Sequence, residues 1–566
     1  MTSIPGFESL DKIRKKYPYF DLTSRKFSFV KGTKFYGGIP LLYDAETRRL
    51  YIDSSDTHTL VYGSTGSLKT RTIVSPGIKV LGYAGESLII NDPKGELFAR
   101  HAGDLKDQGY SIIEINFRDP SVGNSWNPLY IPYLFYINGD FDKSAEFVND
   151  IANNLMISDR STDDPFWDFS ASDLLYGLIQ LLFRYCKDHD APINAVNIGN
   201  LLTLRRTLFS GRLQPQNNIL WKYASEDELV AASLSGTVYA PKDTMNSILS
   251  VFDQKMRSFT IQPTLLDMLA NNDFDIADIG KEKTAVFLIT PDEKTSYHRL
   301  VSMFVKESYE YLIYLATQTV ENKVKNRINY ILDEFSSLPK IADMPSMISA
   351  ARSRDIRFLL VVQSQSSLKQ RYLDDAETII SNCTNWIFFT SRELSLLKEL
   401  SELCGTQKNH MPNISVYDLQ HFSKERREAL VLTGRFKPAK VSMLDIGKFG
   451  DRTPSLLGHE HRKRLERQRL TFELRDDIKR KYIPQRPKDP FVEEKSFVNN
   501  SLHTMDQEKS DTPKKIQGID MDKLVQRIDQ RIAKLNQEEL GGKTNKPSLR
   551  DEKSSETETT TGKKGE

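Results

Sequence analysis

TLVYGSTGSLKT (59–70) decides the reading of this chain. Four β-prone residues, Thr59 to Tyr62, run into a turn carrying Gly63 and Gly66, and the turn ends on Lys69 and Thr70 at the start of a helix-like segment. A strand, a glycine-bearing turn and a helix start form the context that a phosphate-binding loop requires. Backbone N–H groups of Gly63, Ser64, Thr65, Gly66 and Ser67 would wrap phosphate oxygens, and the helix start adds its partial positive charge. Lys69 would neutralise β- and γ-phosphate charge, and the Thr70 hydroxyl would hold Mg²⁺. The pattern G-x-x-x-x-G-K-[ST] places glycine where this chain has Leu68, and a branched side chain there stands to weaken binding or slow turnover. A chance strand–turn–helix is the plain alternative.

The second half of the site is INYILDEFSSLPK (328–340), an apolar run that ends on Asp333 and Glu334. An acidic residue at the end of a buried strand can reach Mg²⁺, usually through water. The next residue, Glu334, is placed to polarise an attacking water. The alternative is a carboxylate pair at the start of the following helix, where negative charge is favoured.

Working outward, short runs rich in aliphatic and β-branched residues recur at 59–62, 87–90, 111–117, 284–290, 328–334, 357–363, 385–390 and 429–434. Most are nearly continuous, the signature of strands buried on both faces of a parallel sheet. Helix-like segments such as 298–319 and 392–403 separate them, which predicts a three-layer α/β domain. The alternation pauses between about 160 and 270, where SASDLLYGLIQLLFRYCKDH and TMNSILSVFDQKMRSF read as a helical insertion. The expected division is a β-containing lead-in over 1–58, nucleotide-binding halves over 59–159 and 271–455 flanking an all-α insertion over 160–270, and a basic, low-complexity tail over 456–566. That tail is biased to Ser, Thr, Lys and Glu and is expected to be largely disordered. Within it, 519–540 places Leu524, Ile528, Ile532 and Leu535 on one stripe of a helix, suited to a partner, to self-association or to the chain's own domain.

Composition adds bounds. The 566 residues are 39% hydrophobic and 27% charged, ordinary for a chain with a sizeable core. The net charge of +2 does not announce a nucleic-acid binder, so a basic surface must be local. Lys242, Lys255, Arg257 and the run HRKRLERQRL (461–470) are candidates, although such charges also serve as solvated faces. Cys186, Cys383 and Cys404 lack metal-like spacing and read as ordinary thiols. The N-terminal segment lacks the apolar run of a signal peptide, and nowhere do about 18 consecutive apolar residues occur. A cytoplasmic protein is expected, with any membrane role supplied by a partner.

Several further segments carry a family resemblance: NDPKGELF (91–98), FRDP followed by SWNPL (117–129), DPFWDFSASDLL (164–175), DEFSSLPKI (333–341) and ARSRDIRFLLVVQSQSSL (351–368). Together, and in order from about 59 to 440, they closely resemble the VirD4/TraG-like type IV coupling proteins, and the 519–540 helix resembles that of Gram-positive members. The resemblance implies a RecA-like P-loop NTPase with an inserted all-α domain, a hexameric ring using ATP and Mg²⁺, and the delivery of single-stranded DNA, bound to a relaxase, to a secretion channel. It implies that Lys69 and Thr70 form the first nucleotide motif and Asp333 and Glu334 the second. Gln363 then senses γ-phosphate or the neighbouring subunit, and Arg352, eleven positions earlier, reaches the adjacent subunit's site, with Arg354 as fallback. Salt bridging is the alternative for all three. The chain departs from the family at Leu68 and in lacking an N-terminal membrane anchor, so a separate membrane protein is expected to recruit it. A nucleotide-binding docking platform with little hydrolysis, another ring DNA translocase and a coupling protein for protein cargo are the competing readings.

Overall fold

The computed structural model describes residues 7–28, 36–157, 165–210, 214–291, 293, 297–407, 410–434, 436–450, 467 and 469–471. All of them fall in one compact unit, residues 1–484. Most of 461–470, the 519–540 helix and the tail expected to be disordered lie outside the described residues.

The lead-in forms a four-stranded antiparallel sheet from β1 (Tyr19–Asp21), β2 (Lys26–Phe27), β3 (Ile39–Asp44) and β4 (Arg49–Asp53), in the order β2-β1-β4-β3. Alternation in LLYDAETRRLYID makes the β3–β4 hairpin, with Leu50 and Ile52 turned into a small core beside Val80 and Phe449.

The main sheet has nine strands: β5 (Thr59–Tyr62), β6 (Ser87–Asp92), β7 (Ser111–Asn116), β8 (Thr284–Ile289), β9 (Ile328–Leu332), β10 (Ile356–Val362), β11 (Asn385–Phe388), β12 (Glu428–Thr433) and β13 (Phe436–Ser442). Their order is β13-β12-β11-β5-β10-β9-β6-β8-β7. The seven from β11 to β7 are parallel. β12 and β13 pair antiparallel at the β11 edge. All eight apolar runs of the sequence are strands, and the seven parallel ones include every run that is buried along its length. β12 departs from the expected parallel arrangement: it pairs antiparallel with β11 on one side and with β13 on the other.

Successive residues divide between two cores, as period-two strands require. Leu60, Tyr62, Tyr330, Leu332, Leu360 and Val362 join one core, while Val61, Ile331, Leu359 and Val361 join the other. The first core continues into the segment between β7 and β8. There the chain runs through helices from Tyr130–Ile137 to Ile276–Ile279, and the 23-residue helix Phe166–Asp188 buries Leu174, Leu178, Leu182 and Cys186. No described helix is long and apolar enough to cross a membrane. The three cysteines are buried free thiols.

This topology positions the site. β5 lies two places from β9, with β10 between them. The turn after β5, the acidic end of β9 and the residue after β10 therefore meet at one edge of the sheet. Crevices outside the carboxyl ends of parallel strands are where such sheets bind ligands.

Candidate nucleotide site

Gly63 follows β5 with its N–H bonded to Val362 O (3.2 Å), and Ser64 N–H donates to Thr390 O (2.9 Å), so the loop leaves the sheet between β10 and β11. A side chain at position 63 would collide with the turn, because a Cβ there would lie 2.4 Å from Ser67 Oγ. Gly66 has φ +77°, a conformation glycine adopts freely. Leu68 has φ +72°. The glycine of the general pattern stands at a left-handed position, and leucine occupies that conformation here at a cost of about 1 kcal/mol.

Lys69 is buried, and its ammonium donates to the carbonyls of Gly63 and of Ser64 (3.3 Å). Burial pulls its pKa down, against the attraction of Glu334 and Asp333. The chain then opens with a π-helical turn, Thr70–Val74, before the α-helix Ser75–Ala84. Pro76 accounts for that turn: it lacks an N–H, and in a regular helix its ring would press on the carbonyl four residues back.

The Thr70 hydroxyl donates to Asp333 Oδ2 at 2.8 Å. This bond joins the two halves of the site across 263 residues of sequence. Asp333 is 5% exposed, and burial pushes its carboxyl up to about 6, with Glu334 adding to the rise. Thr70, Glu334 N–H and Lys69 work in the opposite direction. Glu334 sits at φ +54° and accepts from Gln363 Nε2 at 2.7 Å. Lys69, Thr70, Asp333, Glu334 and Gln363 are thus assembled in one chain. Ser64, Thr65, Gly66 and Ser67 form the rim of the loop, and Ser67 Oγ is buried with no hydrogen-bond partner.

Arg352 is elsewhere. It belongs to the short 3₁₀ turn Arg352–Arg354 before β10, at the amino edge of the sheet, where it faces Asp56 at 3.5 Å with 42% of its side chain exposed. It does not approach the phosphate loop of its own chain.

Two residues near the site were not singled out from sequence. Asn91 Nδ2 donates to the Asp333 carbonyl at 2.6 Å and so fixes the end of β9. Asp92, buried, accepts from Phe98 N–H (2.8 Å), and burial lifts its carboxyl to about 6 with Asp333 contributing. The available signal was the pair of polar residues closing the SLII strand, the same pattern as Asp333-Glu334. Of the candidate DNA contacts, Lys255 is engaged internally with Asp168 at 2.6 Å.

The pair of oxygen donors, Thr70 Oγ1 and a buried Asp333 carboxylate, fits a hard divalent cation. Asn91 Oδ1, buried without a partner, lies on the same strand ends.

A parallel sheet with a phosphate loop after its first strand, an acidic strand end two places away and a helical excursion between strands is the RecA-like P-loop class. Among solved structures, the plasmid coupling protein TrwB in complex with the GTP analogue GDPNP superposes with a TM-score of 0.51 at 17% identity, covering 71% of this chain and 88% of that one. TrwB with an ATP analogue, ADPNP, gives 0.52 at 15% identity, covering 75% and 98%. The model of the family described as type IV secretory system conjugative DNA transfer matches residues 22–441. The chain belongs to that family. Relatives include the conjugal transfer protein TraG of Escherichia coli, 25% identical over 374 residues, which are 62% of this chain and 55% of TraG. VirD4 of Agrobacterium fabrum is 22% identical over 401 residues, 69% of this chain and 55% of VirD4. The chain spans about half the length of the curated relatives it matches.

Proposed function

We propose that this protein is a DNA-transfer coupling ATPase that links a relaxase–single-stranded DNA complex to a type IV secretion channel. The observation that carries the proposal is the Thr70–Asp333 bond, which brings the phosphate loop and the acidic strand end to one point. The printed names of its relatives, conjugal transfer protein and coupling protein, and the nucleotides in the TrwB complexes support it.

In this reading Lys69 exchanges the loop carbonyls for phosphate oxygens, which relieves a buried cation. Thr70 and Asp333 hold Mg²⁺, which neutralises charge on the phosphate oxygens when bound. Glu334, oriented by Gln363, directs a water at the terminal phosphate. Arg352, remote from its own loop, acts across a subunit boundary on a neighbour's nucleotide, so that turnover depends on assembly into a homo-hexamer. The ring works at the cytoplasmic face of the cell membrane, recruited by a separate membrane protein.

The test is ATP hydrolysis by the purified protein with and without single-stranded DNA, alongside Lys69→Ala and Glu334→Gln. DNA stimulation of the unaltered protein and loss of about a hundredfold or more in both variants is expected. Equal rates in all three would reject the site.

A second reading, a docking platform that binds nucleotide and hardly turns it over, is favoured by the left-handed backbone of Leu68. Leu68→Gly separates the two: tight binding without turnover in the natural chain, with hydrolysis appearing in the variant, supports the platform.

A further inference from the structure

The phosphate loop is gripped at its base by the two strands beside it. Gly63 N–H donates to Val362 O at the end of β10, and Ser64 N–H donates to Thr390 O just beyond β11. The ends of β10 and β11 are in turn joined to each other by one side chain, Glu393. Its Oε2 accepts from Gln365 N–H and its Oε1 from Ser366 N–H, both at 2.8 Å.

This joint falls at the start of the helix Gln365–Tyr372. A helix start has unmet N–H groups, and the residue just before the helix commonly takes one. Ser364 does so here, its hydroxyl accepting from Ser367 N–H at 3.1 Å. Glu393 meets two others from 27 and 28 residues further along the chain. The acceptor is itself held, because Glu393 N–H donates to Ser391 Oγ at 3.0 Å.

The far end of the helix is anchored on the acidic turn. Tyr372 stacks on Phe335, the residue after Glu334, with ring centroids 5.4 Å apart, and its hydroxyl accepts from Ile341 N–H at 3.2 Å. The near end follows Gln363, whose Nε2 donates to Glu334 at 2.7 Å. Between Gln363 and Leu368 the chain reads SQSS (364–367), with no apolar side chain to fix the turn. The Glu393 carboxylate supplies that hold.

We infer that Glu393 is a positioning residue for ATP hydrolysis. By closing the end of β11 onto the start of the 365–372 helix, it fixes Gln363 relative to the phosphate loop, and Gln363 fixes Glu334. The inference rests on the ATPase reading of the site and adds to it a residue that acts only through another.

The test measures DNA-stimulated ATP hydrolysis and, by calorimetry, Mg–ATP binding, on the full chain. Glu393→Ala is expected to lower kcat about tenfold, the size of effect seen when the support of a site residue is removed, with Mg–ATP affinity within about twofold of the natural chain. Glu393→Gln, whose amide oxygen can accept from one of the two N–H groups, should fall between. In a Gln363→Ala chain the same Glu393→Ala change should lower kcat by no more than about twofold, because the residue it supports is gone. Natural kcat in Glu393→Ala, a loss expressed only as weaker ATP binding, or a tenfold loss that persists in the Gln363→Ala chain each overturns the inference and leaves the ATPase reading intact. Absence of turnover in the natural chain overturns that reading, and the inference with it.

Discussion

The two edges of the central sheet treat buried charge in opposite ways. At the amino edge, Glu86 Oε1 accepts from Gly37 N–H at 2.7 Å, and its Oε2 accepts from Arg357 at 2.7 Å and from Asn329 at 2.8 Å. Arg357 also donates to Asn329 Oδ1 (2.9 Å) and to the Ser55 carbonyl (3.0 Å). These charges satisfy one another. At the carboxyl edge, Lys69 is turned onto carbonyls, the Asp333 and Asp92 carboxyls are pushed towards neutrality by burial, and Ser67 Oγ and Asn91 Oδ1 have no partner. Single unpaired atoms occur at the amino edge as well, Thr59 Oγ1 and Arg327 Nε among them; what sets the carboxyl edge apart is that Lys69, Asp333 and Asp92 are buried with no ion pair among the described residues, an arrangement that costs free energy until a ligand of matching charge binds. The sheet closes itself at one end and stays open at the other.

The strongest way to break this contrast is to damage the closed edge. Arg357→Met leaves Glu86 buried without its counter-charge, which costs about 3–5 kcal/mol of stability. The expected outcome is a large drop in denaturation midpoint with Mg–ATP affinity, measured well below that midpoint, within about twofold of the natural chain. Loss of nucleotide binding comparable to that of Lys69→Ala would show that the two edges are not separate in function.

How much of this was legible beforehand follows the same division. The eight apolar runs announced their strands because a strand buried on both faces has no alternation to confuse it. β13 went unread: in FKPAKVS, Lys437 and Lys440 interrupt the apolar residues, and the strand is specified by pairing with β12 more than by its own sequence. At the site, Lys69, Thr70 and Asp333 stood out because phosphate and metal chemistry demands those residue types at strand ends. The Gln363–Glu334 bond depends on which strand lies between which, and strand order is not written locally. The Glu86–Arg357–Asn329 network was invisible for the same reason. Its members come from three strand starts more than 200 residues apart at the extremes, and each alone reads as an ordinary surface polar residue.

A middle-sized effect comes from pH. The Asp333 carboxyl titrates at about 6 in the folded chain and near 3.8 when unfolded. Between those values the folded chain binds more protons, so ligand-free stability falls as pH rises from about 4 to 6. A divalent cation needs the deprotonated form, so Mg–ATP affinity is expected to be lost as pH falls through about 6, roughly tenfold between pH 7 and pH 5. Asp92 is raised to about 6 as well, by its own burial. Calorimetric titration of Asp92→Asn should keep the midpoint near 6, and its disappearance there would move the assignment from Asp333 to Asp92.

The smallest effect compares two left-handed residues, one at each edge. Asp355 at the amino edge has φ +61°, and its carboxylate faces Arg327 at 3.6 Å and Lys323 at 4.0 Å. Leu68 at the carboxyl edge has φ +72° and no such compensation. Glycine relieves about 1 kcal/mol of backbone strain at either position, less about 0.5 kcal/mol for its greater freedom in the unfolded chain. At Asp355 that gain is outweighed, because removing the carboxylate leaves the buried Arg327 without its ion-pair partner. Asp355→Gly is therefore expected to destabilise the protein, and Leu68→Gly to stabilise it by about 0.5 kcal/mol in chemical denaturation. Strain that persists at Leu68 without a structural reason belongs with strained residues at functional sites. If Leu68→Gly is instead destabilising, the side chain is held by packing in the ligand-free fold, and the open-edge account loses its clearest example.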